Sequence, residues 1–177
     1  MSAVSPSVLA ASGTAVSFPI LPALMAVPLL GALLVLVAPR QRPELRKLTA
    51  VLATVTTGAL SLWLLRAFDT HHGADFQFAS RHAWLDDLGV SWLFGVDGIS
   101  LFLVVLTGVL FPIALFASDP EHDDRAYYAW LLVLEAGCMG VFTSLDLVVF
   151  FLCFEVVLVP MYFLIGRWGH GNRTYAA

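Results

Sequence analysis

From Ala126 to Gly166 the chain runs for 41 residues with few polar interruptions, a length no single membrane helix can use. At about 1.5 Å per residue a straight helix of that size would reach about 60 Å, twice the roughly 30 Å of hydrocarbon in a bilayer. The run must fold back on itself. Thr143-Ser144-Leu145-Asp146 is the polar break near its centre, so a tight turn is predicted there, with Asp146 capping the helix that follows. Phe18–Ala38, Leu48–Phe68 and Val96–Ser118 are each long and apolar enough to cross once. The expected fold is therefore all-α and integral to the membrane, with five transmembrane helices and kinks at internal prolines.

Composition excludes the soluble alternative. Hydrophobic residues make up 59% of the 177-residue chain and charged ones only 12%, more apolar surface than a core of this size can hide. The net charge of -4 is spread over connections without a basic stripe, so no nucleic-acid partner is expected. The order along the chain is an N-terminal segment (1–17), two spans (18–68), a connection (69–95), three spans (96–166) and a tail (167–177). In the 69–95 connection, Phe76-Gln77-Phe78 and Gly89-Val90-Ser91-Trp92-Leu93 alternate weakly. They fit either a short hairpin on the membrane surface or an irregular loop with Trp84 and Trp92 in the headgroup belt.

Lysine and arginine set the expected orientation. Arg40, Arg42, Arg46 and Lys47 crowd the first connection, whereas the second carries Arg81 with Arg66 at its edge and the 143–146 turn carries neither residue type. The first connection is expected in the cytoplasm. Alternation then puts the N-terminus and 69–95 outside, and Asp119–Arg125 and the tail with Arg167 and Arg173 inside. Residues 1–17 contain no Lys or Arg, so the first span is expected to be retained rather than cleaved as a signal peptide.

Against this apolar background two carboxylates stand out. Glu155 is the one acidic or basic residue of "FFLCFEVVLVPMYFLIG", and Glu155 and Glu135 each lie ten residues from Leu145, which predicts a shared depth near the midplane. An isolated charge there costs several kcal/mol, so such a group must be protonated, paired or beside water. Pro160 cannot donate to the carbonyl of Val156, which leaves an acceptor one residue from Glu155. A carboxylate beside a free acceptor suits proton transfer. The alternative for either glutamate is a neutral side chain that hydrogen-bonds across a helix interface. His71, His72, His82, His122 and His170 all fall in connections or the tail, and Cys138 and Cys153 sit in apolar runs, so no haem, iron–sulfur or metal site is expected in this chain. No nucleotide loop is present either.

"FPILPALMAVPLLGALLVL", "LFGVDGISLFLVVLTG" and "LDLVVFFLCFEVVLVPMYFLIGRWGHGNR" together resemble subunit M of proton-pumping NADH:quinone oxidoreductase, the homologue of mitochondrial chain 4 in respiratory complex I. FE-x-x-L-x-P-M-Y marks the antiporter-like group, and GVDGIS points to subunit M within it. The resemblance covers nearly all the chain after residue 17. It implies that Glu155 is the family's essential glutamate, half of a Glu-Lys pair that modulates proton binding, and that Asp146 is the acidic residue at the start of the same helix. Glu135 has counterparts in some relatives only. It further implies an inner (plasma) membrane location, other membrane-arm subunits as partners, and NADH, quinone, FMN and iron–sulfur clusters elsewhere in the complex. The family has about fourteen helices built on inverted five-helix repeats, so this chain is expected to be the beginning of such a bundle, without the lysine. A subunit of a multi-subunit sodium/proton antiporter and a structural membrane scaffold are the rival readings.

The charge asymmetry makes the orientation testable. A cysteine introduced at position 43 should react with a membrane-impermeant reagent only from the cytoplasmic side, and one at position 75 only from outside; the reverse pattern overturns the assignment of both faces.

Overall fold

A computed structural model of the protein describes residues 19–39, 41–73, 75–85, 90–120 and 124–169. The segment 1–17, Arg40, His122, His170, Arg173 and the remaining tail lie outside the described residues. The elements in order are α1 (Ile20–Val37), α2 (Pro43–Ala67), a 3-10 turn (Thr70–His72), β1 (Gln77–Leu85), β2 (Val90–Val96), α3 (Gly98–Ala117), α4 (Asp124–Thr143) and α5 (Leu147–Trp168). Each α-helix is long and apolar enough to cross a membrane. α4 and α5 divide the 41-residue run where its polar break predicts.

Helix starts differ from the apolar runs for a physical reason. α2 begins at Pro43, five residues before the apolar stretch, because Pro43 and Glu44 are favourable first-turn residues and its charged first turn finds partners. Arg46 pairs with Asp124 at 3.2 Å, and Lys47 Nζ donates to the carbonyl of Ser118 at 3.1 Å. These contacts bring the start of α2, the end of α3 and the start of α4 to one rim of the bundle. At the other rim lies the hairpin.

β1 and β2 pair antiparallel, so the connection is a hairpin rather than an irregular loop. The ladder is irregular between Gln77 and Ser80, where Phe78 adopts a φ of 55°, and again between Ala83 and Leu85. Its exit shows what the GVDGIS motif does. Asp97 accepts from the Ser100 N–H at 2.8 Å while Ser100 Oγ accepts from the Asp97 N–H at 3.0 Å, a reciprocal capping box that starts α3. The Ser100 N–H holds the Asp97 carboxyl below its ordinary value. Gly98 donates its N–H to Gly73 O at 2.9 Å, an approach that a side chain would crowd.

The same hairpin grips the α4–α5 turn. Leu145 N–H donates to Leu93 O at 2.9 Å, and Phe94 bridges to Ser144. Asp146 caps α5 as predicted, with Oδ1 accepting from Val148 N at 2.9 Å and Val149 N at 3.4 Å. Its other oxygen accepts from the Ser91 N–H of β2 at 3.2 Å. Trp92 packs partly buried against the core and stacks with Phe94. One carboxylate thus joins a helix start to a strand.

Small residues set the helix spacing, as is usual where lipid provides no hydrophobic drive between helices. Gly31 of α1 faces Ala53 of α2; Gly58 of α2 lies against the main-chain carbonyl of Gly108 of α3; Gly137 and Gly140 of α4 receive Val157 and Cys153 of α5. α4 is the hub, packed against α1, α5, α3 and α2. Leu21, Leu24, Leu64, Met139 and Val149 form a core near the hairpin, and Val35, Ala50, Leu115, Tyr128 and Leu132 form another toward the charged rim.

Two outcomes follow from this packing. Gly58→Val puts a branched side chain against the Gly108 backbone, which cannot rotate aside, and should destabilise the subunit by about 1–3 kcal/mol in thermal unfolding, whereas Gly73→Ala, with more room, should cost less. Asp146→Ala should cost about 1–2 kcal/mol and raise hydrogen exchange at Ser91, Val148 and Val149 together; protection retained at Ser91 would show that the carboxylate does not hold the hairpin.

Candidate functional site

α5 carries Glu155 on a helix of strongly apolar residues from Leu147 to Trp168, capped by Asp146 and kept helical through Pro160. Two side chains fix its rotation. Cys153 and Val157 lie against Gly140 and Gly137 of α4, so Glu155, two residues from each along a helix of about 100° per residue, points the opposite way. It is exposed on the outer side of the five-helix assembly. The buried residues of α5 are Val149, Cys153 and Pro160, so most of this helix faces lipid or further protein.

Glu135 has the opposite setting. It is 0% exposed, and neither Oε1 nor Oε2 has a hydrogen-bond partner. Asp124, eleven residues earlier and therefore on nearly the same helix face, reaches Arg46 of α2, so Glu135 lies on the face of α4 turned toward α2, opposite the Gly137 and Gly140 face that receives α5. The structure does not bring the two glutamates together.

Their depths also differ slightly from the count based on Leu145. Ring contacts of Tyr127 with Trp168 at 5.4 Å and of Trp130 with Phe163 at 4.8 Å, with Gly137 on Val157 and Gly140 on Cys153, set the antiparallel register. That register levels Glu155 with Cys138, three residues and so about 4.5 Å from Glu135 along the axis. Cys138 and Cys153 lie within one turn of each other. Both are free thiols.

α2 and α3 carry a set of buried hydroxyls that apolar-run reasoning passes over. Thr54, Thr57 and Ser61 of α2 and Thr107 of α3 are all buried, and the first three recur at helical spacing along one side of α2. That spacing was the available signal, masked because threonine and serine do not break an apolar run. Asp146, by contrast, has both oxygens engaged in the cap and the hairpin clamp.

No family model matches the chain. It is 38% identical over 164 residues to NADH-quinone oxidoreductase subunit M of Rickettsia prowazekii, covering 90% of this chain and 33% of that protein. Against NAD(P)H-quinone oxidoreductase chain 4 1 of a Nostoc species it is 33% identical, covering 92% of this chain and 30% of the relative. Among solved structures it is similar to a chain of respiratory complex I from Thermus thermophilus with bound NADH, with a TM-score of 0.72 and 26% identity over 90% of this chain and 31% of that one. The chain thus spans about a third of the length of the curated relatives it matches. Over nine-tenths of its own length the chain is therefore a homologue of proteins named NADH-quinone oxidoreductase subunit M and chain 4, and it shares the fold of a respiratory complex I chain.

Proposed function

We propose that this chain is part of a membrane-arm subunit of proton-pumping NADH:quinone oxidoreductase, and that Glu155 binds and releases a proton during translocation. The observation that carries the reading is the position of Glu155: a carboxylate on an apolar spanning helix, one residue from the carbonyl freed by Pro160, on the side left uncovered by the other four helices. A carboxylate facing lipid alone would be a cost with no return, so further protein covering α5 gives it a partner.

The mechanism is electrostatic. A lysine brought near Glu155 by the covering helices stabilises the ionised carboxylate, and its withdrawal favours the proton-bound form, so proton affinity follows the geometry of the pair. Asp146 acts as a positioning residue that fixes the start of α5 and so the depth of Glu155. Redox chemistry belongs elsewhere in the complex, with NADH, FMN, iron–sulfur clusters and quinone on other subunits. The membrane is the inner (plasma) membrane, with the Arg46–Asp124 rim in the cytoplasm and the hairpin outside; the excess of Lys and Arg in the first connection supports this orientation.

In the complete subunit within its complex, Glu155→Gln keeps shape and hydrogen-bonding capacity but removes titration. Proton pumping per assembled complex should fall by about tenfold or more, with Glu155→Asp retaining a good part of it. Complex content is measured first, by blue-native electrophoresis. Normal pumping in an assembled Glu155→Gln complex overturns the proton-carrier role.

A further inference from the structure

We infer that Glu135 is a second proton-binding site, enclosed between α2, α3 and α4, and that it exchanges its proton along a hydroxyl seam leading to the Arg46–Asp124 rim, separately from the side of α5 that carries Glu155. The inference rests on the proposed proton-translocating role of the subunit for its purpose, but the site itself stands on geometry.

The register places the seam. α2 and α4 run parallel, and their ion pair joins Arg46 to Asp124 at 3.2 Å. Eleven residues further along each helix, three turns and about 16 Å deeper, stand Thr57 and Glu135, on nearly the same faces as the ion pair. Beside Thr57, Gly58 lies against Gly108 of α3, whose neighbour is Thr107. Thr57, Thr107 and Glu135 therefore share one level of the bundle. Thr54 occupies the turn of α2 between that level and the rim, and Tyr128 occupies α4, close enough to Asp124 and Arg46 to interact with their charges.

The chemistry of the seam selects the occupant. Thr54 Oγ1 donates to Val51 O at 3.0 Å, Thr57 Oγ1 to Ala53 O at 3.0 Å and Thr107 Oγ1 to Leu103 O at 2.8 Å. Each hydroxyl has committed its hydrogen to its own helix and offers only oxygen lone pairs across the interface. An ionised carboxylate, which can only accept, finds no donor there. A carboxylic acid brings its own proton and carries no charge, so adding a proton to Glu135 removes an uncompensated charge from a level of the bundle where neither carboxyl oxygen has a partner. The reaction is the reversible addition of one proton to the Glu135 carboxylate, drawn from water at the rim.

Among the described residues no other charge sits at this level to provide compensation. α1 and α3 contain no ionisable side chain. α2 contributes Glu44, Arg46, Lys47 and Arg66, all in its end turns, and α4 itself contributes Cys138, one turn on, besides Asp124, Arg125 and the two tyrosines near the rim. α5 contributes Cys153, which faces α4 next to Gly140, with Tyr162 and Arg167 nearer the rim, while Glu155 points outward.

Infrared difference spectroscopy on the assembled complex tests the assignment. At neutral pH the wild-type complex should show the carbonyl stretch of a neutral carboxylic acid that is lost in Glu135→Gln, displaced in Glu135→Asp and retained in Glu155→Gln. Thr57→Val should slow the deuterium exchange of this band several-fold. Persistence of every neutral-acid band in assembled Glu135→Gln overturns the site. If Glu135→Gln does not assemble, an undisplaced spectrum in Glu135→Asp overturns it instead. Unchanged exchange in Thr57→Val overturns the seam as the route, and loss of the band on adding sodium at constant pH overturns the proton as occupant in favour of a metal cation. Because the Glu135 band is read independently of pumping, its absence and a normal pumping rate in Glu155→Gln are separate failures.

Discussion

Hydrocarbon offers no hydrogen-bond partner, and that single property accounts for how this chain is arranged. Backbone groups within it must close on themselves as helices, so every irregular segment is driven to a rim and must be satisfied there. At one rim the hairpin provides the partners, for β2 takes the Leu145 N–H, the Asp146 carboxylate takes the Ser91 N–H, and Gly73 takes the Gly98 N–H. At the other, Lys47 meets the end of α3 and Arg46 meets Asp124 at the start of α4. Between the rims, hydroxyls of Thr54, Thr57, Ser61 and Thr107 turn back on their own helices. Glu135 is the buried carboxyl for which that arrangement provides nothing.

Much of this was legible in the residues because bilayer thickness is a strict ruler. It divides the 126–166 run at its polar break, and it identifies Asp146 as a cap, since a helix entering lipid leaves N–H groups that the first available carboxylate must take. The hairpin was readable only as one of two options, because Phe76–Phe78 and Gly89–Leu93 are short and their alternation weak. The structure pairs Gln77–Leu85 with Val90–Val96, and irregularities at Gln77–Ser80 and Ala83–Leu85 blur the period of two. Helix starts were less legible, since hydropathy reports where lipid begins and α2 starts earlier, among charges whose partners, Ser118 and Asp124, lie far along the chain.

Helix rotation was the part least accessible to counting. Equal distance from Leu145 gives Glu135 and Glu155 similar depth, yet says nothing of direction, which is decided by where the glycines are. Gly137 and Gly140 admit α5 on one side of α4 and so turn Glu135 to the other. On α5, Cys153 and Val157 fill those same gaps and so turn Glu155 outward. Two spaces the size of a missing side chain thus separate the carboxylates into an inner and an outer environment.

That separation has a consequence for how the two groups can respond to the rest of a membrane assembly. Glu155 lies on a helix face whose surroundings are set by whatever covers α5, so its charge can follow the movement of a neighbour without the five helices moving. Glu135 is bounded by helices pinned at Gly58–Gly108 and at Arg46–Asp124, and changing its surroundings requires shifting packed backbone or turning a hydroxyl. Rotation of a threonine hydroxyl is a small local event, whereas separating α2 from α3 would break close main-chain packing. Under the proposed roles, the enclosed carboxyl would be governed by the supply of protons along the seam and the outer one by the position of a charge, which would make the pair two differently controlled stations within one bundle.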